Sequence, residues 1–203
     1  MLHEFRSALS NQRSDAWGGS QNARNRMSEQ TVQAVHKALE GTDSVLSLRL
    51  SATDWLEGGL ELSDTVALVR QLPQVDWFDI STGGLAPAPI PVGPGYQVRF
   101  AQAVKAALAG TAGNGSSGVA SDGAKAANDD ATSGASTANS APVVSAVGLI
   151  TNPASAEQIL VTNQADIVEV GRPALANPRL ALAWAKELGT KLDYMPPQYA
   201  RGF

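Results

Sequence analysis

Four short runs of strand character recur along this chain, each followed by a segment that reads as a helix, and that alternation admits few folds. The runs are Val45 to Ser51 (VLSLRLS), Asp76 to Thr82 (DWFDIST), Val143 to Ile150 (VVSAVGLI) and Ala165 to Gly171 (ADIVEVG). Ser63 is a good N-cap for a helix over Asp64 to Leu72, and Pro94 opens one over Gly95 to Ala109. Asn152 and Pro153 open Ala154 to Val161, and Pro178 opens Arg179 to Leu188 before Gly189. A further helix, Gln21 to Leu39, precedes the first strand and stops at Gly41. Repeated βα units imply a parallel sheet, so an open doubly wound sheet competes with a (β/α)8 barrel. The Gly-rich first turn of a dinucleotide fold is absent, because Gly58-Gly59 and Gly83-Gly84 lack both its spacing and its place before a helix. Gly148 and Gly171-Arg172 instead stand at the ends of the last two strands, the usual phosphate site of a barrel. The expected fold class is α/β, the C-terminal half of a TIM barrel, since four βα units are half of the set that closes one.

One stretch departs from the pattern. In residues 110 to 141, Gly, Ala and Ser make up 21 of 32 positions, with no aromatic residue and no periodicity. It is expected to be a disordered low-complexity insertion within a single partial barrel domain spanning 1–203. The absence of Cys excludes a disulfide framework, a Cys zinc site and a thiol nucleophile, and two histidines leave little for a metal cluster, so no metal is expected. A formal charge of -4 argues against a nucleic-acid partner. No apolar run approaches the ~18 residues a membrane span needs, and Met1 to Asp15 lacks the features of a signal peptide, so the expected place is the cytoplasm.

The strand ends carry the chemistry. Alternation in the first run puts Leu46, Leu48 and Leu50 on one face and Ser47, Arg49 and Ser51 on the other. In a barrel the leucines pack on helices and Arg49 points inward, either toward a ligand or into an internal salt bridge with a carboxylate such as Asp79. Arg172 is either a phosphate ligand beside the Gly171 N–H or a solvated arginine at a helix start. Pro87, Pro89, Pro91 and Pro94 stiffen the loop after the second strand, as a pocket wall or as a rigid connector. His36 falls on the charged side of its helix, and His3 lies too near the terminus to weigh. No Ser-His-Asp arrangement, metal-ligand spacing or P-loop is present.

Several segments together resemble the old yellow enzyme family of FMN-dependent oxidoreductases, in the class typified by thermophilic-like ene-reductases. They are HEFRSALSNQRSDAWGGS, LRLSATDW around Arg49, DISTGG with PVGPGYQV, AVGLI of Ala146 to Ile150, VGRPALANP of Val170 to Pro178, and the terminal QYARGF. The order is the family's nearly end to end, with only the insertion lacking a counterpart. The family's Ser-x-Glu-Asn-Arg motif is altered, because Ser20 is followed by Gln21, Asn22, Ala23 and Arg24, and Trp17 stands where Tyr is usual.

The resemblance implies FMN as cofactor, NADPH or NADH as reductant and an activated alkene such as an enone as substrate. It implies that Arg49 contacts the flavin pyrimidine edge and that Gly148, Gly171 and Arg172 hold the FMN phosphate. Arg201 would reach into a neighbouring subunit's active site, which implies a homo-oligomer, and Tyr96 and Gln97 would be structural. The family's substrate-binding His pair is expected before Met1, so no catalytic residue of that kind is expected here. The expected function is thus an NADPH dehydrogenase or ene-reductase represented by a truncated chain. A second reading is an inactive remnant or interaction module needing a partner to complete the barrel. A third, an unrelated phosphate-binding barrel such as a sugar-phosphate isomerase or synthase, accounts for Gly171 and Arg172 but not for the QYARGF tail.

Overall fold

The computed structural model describes residues 1–112, 141–192 and 197–202. Four parallel strands, β1 (Ser47–Ser51), β2 (Trp77–Ser81), β3 (Val143–Ala146) and β4 (Ile167–Val168), lie side by side in chain order. Helices connect them: α1 (Leu2–Arg6) and α2 (Gln21–Leu39) come first, then α3 (Leu62–Arg70), α4 (Val98–Ala112) and α5 (Pro153–Val161) cross between consecutive strands. After β4 follow α6 (Arg172–Ala176), α7 (Leu180–Glu187) and a 3-10 turn over Pro197–Gly202. This is the α/β architecture expected from the sequence, and its four strands form half the staves of an eight-stranded barrel.

The register explains which face is core. Leu48, Phe78 and Val144 align across the sheet, as do Leu50, Ile80 and Ala146, and all six side chains are buried. They pack on Leu68, Val69, Val98, Ala101, Val104 and Ile159 from α3, α4 and α5, so the leucines of β1 face the helices as the alternation requires. Asp76 and Asp166 stand just ahead of β2 and β4, and their carboxylates accept the backbone N–H of Leu46 and Val144 at 2.8 and 2.9 Å. Each thereby anchors its neighbouring strand where ladder bonds begin.

Helix ends follow local chemistry. Ser20 Oγ accepts the Ala23 N–H to start α2 at Gln21, where the helix is expected, and Asn152, named from the sequence as opening α5, accepts the Ser155 N–H through its Oδ1. Two starts differ from the sequence reading by more than one residue. Helix α3 begins at Leu62 with Glu61 as N-cap, not Ser63, because the Asp64 carboxylate reaches back to the Glu61 N–H at 2.9 Å. Helix α4 begins at Val98, three residues beyond Gly95, because Gly95 has φ +68° and donates its N–H to the Gly148 carbonyl. Strands β3 and β4 also end sooner than expected, at Ala146 and Val168; among the described residues β4 is the last strand of the sheet and pairs with β3 alone. Helix α4 runs to Ala112, three residues into the stretch 110–141 expected to be a disordered insertion; residues 113–140 of that stretch lie outside the described residues.

Candidate flavin-binding face

The face of the sheet turned away from the helices is polar. Arg49, Asp79 and Ser145 align across β1, β2 and β3, and Glu169 follows one step beyond β4. Arg49 Nη1 donates to Asp79 Oδ2 at 2.5 Å and lies 3.5 Å from Glu169 Oε2. Trp77 Nε1 donates to Ser145 Oγ at 2.9 Å, and Ser145 Oγ donates in turn to Glu169 Oε1. The salt bridge weighed from the sequence is therefore formed, yet the Arg49 side chain is 55% exposed and keeps most of its donors open. Burial pushes the Glu169 carboxyl above its ordinary range, the hydrogen bond from Ser145 opposes this, and the negative charge of Asp79 reinforces it.

At the C-terminal ends of the strands, Gln97 joins two loops. Its Oε1 accepts from Ser81 Oγ at 3.2 Å and Thr82 Oγ1 at 2.8 Å, and its Nε2 donates to the Val147 carbonyl at 3.3 Å. Gly148 makes this possible: its φ is +126°, and a Cβ there would stand 2.9 Å from Gln97 Nε2. The structural role expected for Gln97 thus has a geometry, and Gly148 is needed for it. Gly83 and Gly84 have φ of +70° and +94°, and Ile90 from the Pro-rich segment packs within 3.0 Å of where a Gly83 Cβ would stand. That segment therefore folds back on the end of β2. Gly171 precedes α6 in the open, with nothing within 4 Å of where a Cβ would lie, and Arg172 is exposed. Arg201 is exposed in the 3-10 turn.

A second cluster, missed by the sequence reading, ties the N-terminus to the rim. His3 Nε2 lies 2.6 Å from Asp54 Oδ1, while Asp54 Oδ2 accepts from Ser7 Oγ at 2.6 Å and from the Leu60 N–H at 2.8 Å. Asp54 is fully buried, so these partners compensate its desolvation. Nearby, the buried Arg6 guanidinium donates to Thr65 Oγ1 at 3.0 Å; burial lowers its pKa to about 10 against the opposing charges of Asp64 and Asp54. Nothing in local spacing signals either contact, since the partners are 47 to 59 residues apart. Arg24, the retained arginine of the altered loop motif, donates to the carbonyls of Arg6 and Gly19 and to Gln21 Oε1. His36 lies exposed on α2.

A family profile described as NADH:flavin oxidoreductase / NADH oxidase family matches residues 1–106. The chain belongs to this family. The resemblance read from the sequence is thereby borne out. Proteins named NADPH dehydrogenase from Halalkalibacterium halodurans and Bacillus subtilis are 35% and 33% identical to it over 205 residues. In both cases all of this chain is covered and 50% of the relative, so the chain spans about half the length of the curated relatives it matches. Among solved structures, a 2-naphthoyl-CoA reductase in complex with 2-naphthoyl-CoA superposes with a TM-score of 0.68 at 23% identity, over 94% of this chain and 25% of that one. Histamine dehydrogenase from Rhizobium sp. 4-9 follows at 0.66 and 19%, over 93% and 23%. Those two likenesses concern the fold alone.

The residues present suit FMN. An electron-rich ring and a dianionic phosphate need cations and open backbone donors. Arg49 offers a half-exposed guanidinium on the polar face. Arg172 has no ion pair among the described residues, and Gly171 carries no side chain to crowd an approaching anion.

Proposed function

We propose that this chain is the flavin-gripping part of an FMN-dependent NADPH dehydrogenase of the ene-reductase type. The observation that carries the reading is the half-exposed Arg49, held by Asp79 on the open polar face of a half-barrel whose family is flavin-dependent. When bound, FMN supplies the hydride relay between NADPH or NADH and an activated alkene such as an enone. Arg49 stabilises negative charge at the pyrimidine edge, and Asp79 fixes its guanidinium in place. Gly148, Gly171 and Arg172 hold the phosphate. The exposed Arg201 reaches a neighbouring copy in a homo-oligomer, and the group that polarises the substrate carbonyl belongs to the half of the relatives that this chain does not span. The chain's proposed place of action is the cytoplasm and its proposed partner a small molecule; among the described residues no helix is long and apolar enough to cross a membrane.

The test is the visible spectrum of the purified chain after incubation with FMN and desalting. Retained oxidised-flavin absorbance is expected, weakened by Arg172→Ala. Arg49→Ala is expected to alter flavin reduction more than flavin retention. A colourless wild-type protein overturns the reading in favour of an interaction module that needs a partner to complete the barrel. The flanks of β1 and β4, which pair with no further strand among the described residues, favour that alternative.

A further inference from the structure

Glu169 has no part in the flavin site proposed above, yet it converges on the same guanidinium. Every charged or hydrogen-bonding group shown to act on it comes from the sheet: Arg49 from β1, Asp79 from β2 and Ser145 from β3. The Trp77 indole steadies Ser145 from behind. Arg49 therefore sits between two carboxylates, one at 2.5 Å and one at 3.5 Å. With both carboxylates ionised, two negative charges against one positive make the trio net negative, the reverse of what an electron-rich ligand needs.

We propose that Glu169 is a positioning residue that sets how much of the Arg49 charge is available to a ligand on this face: ionised, it shares the guanidinium with Asp79, and on taking a proton it releases its share. The proposal rests on the reading of Arg49 as the flavin-edge arginine. Like charges on neighbouring carboxylates disfavour double ionisation, so the proton belongs on Glu169, whose contact with Arg49 is the longer one. Asp79 then keeps the guanidinium aimed while the net charge of the trio changes by one.

Two measurements test this. In the chain alone, carbon-13 NMR of labelled glutamate carboxyls, with Glu169→Gln identifying the resonance, should give Glu169 a midpoint above those of the exposed glutamates. Asp79→Asn should bring it back toward them. FMN affinity, read by quenching of flavin fluorescence from about pH 5 to about pH 8, should be higher at the acid end by up to about fivefold, the span of one partly exposed charge pair. Glu169→Gln should bind at the tighter limit, keeping for FMN only the pH dependence that the phosphate supplies and showing a flat profile for riboflavin. Riboflavin, which lacks the titrating phosphate, should show the same contrast. An ordinary midpoint for Glu169, or parallel pH profiles in wild type and variant, overturns this inference while leaving the cofactor reading intact. Absence of binding by either flavin at every pH overturns both.

Discussion

The two faces of the same four strands follow opposite rules. Toward the helices, Leu48, Leu50, Phe78, Ile80, Val144 and Ala146 interlock in a dry core. Away from them, Arg49, Asp79, Ser145 and Glu169 form a chain of polar contacts that leaves Asp79 Oδ1 without a hydrogen-bond partner and the arginine half exposed. Strand alternation makes the contrast possible, and the helices decide which set is hidden. The dry core therefore lies on one face and the open charged groups on the other, separated by the thickness of a backbone.

The largest blow to that division comes from the core side. Phe78→Ala should destabilise folding by ~3–5 kcal/mol, because a fully buried ring at the sheet centre leaves a cavity that its neighbours cannot close. Urea denaturation reads the effect, and a loss below ~1 kcal/mol would mean that the outer face is not the core. Next comes the rim, where Asp54→Ala should cost about 2–3 kcal/mol by stranding the Ser7 hydroxyl and the Leu60 N–H and freeing His3. The same denaturation experiment checks it. On the polar face, Arg49→Ala should change stability by less than ~1 kcal/mol, since its ion pairs are partly exposed, and should alter flavin reduction instead. A large stability loss there would erase the distinction between the faces.

The smallest effect is one of pH. Glu169 has a folded-state pKa raised above its unfolded value, so the stability it contributes is fully present below the ordinary glutamate range. That contribution is lost as pH rises through the raised folded value. Glu169→Gln should remove this decline, seen as a flatter dependence of the urea midpoint on pH across the same window. An unchanged slope would place the pH dependence elsewhere.

Much of this was legible in one dimension. The βα alternation, the outward leucines, helix α2 and the start of α5 follow from periods and caps that act within a few residues. The family resemblance holds as well, because motifs such as LRLSATDW and PVGPGYQV are local. Less legible were boundaries set by distant partners. The start of α4, for one, depends on Gly95 bonding to Gly148.

The sequence by itself determined the order of elements, the polarity of each strand face and the choice of Arg49 as the residue to watch, because those depend on neighbours a few positions apart. Only the tertiary structure decided that Glu169 joins Asp79 on Arg49, that Gly148 is small because Gln97 must pass it, and that His3 belongs to Asp54. Those contacts join residues dozens of positions apart in the chain, and no local period encodes a meeting that only the folded chain brings about.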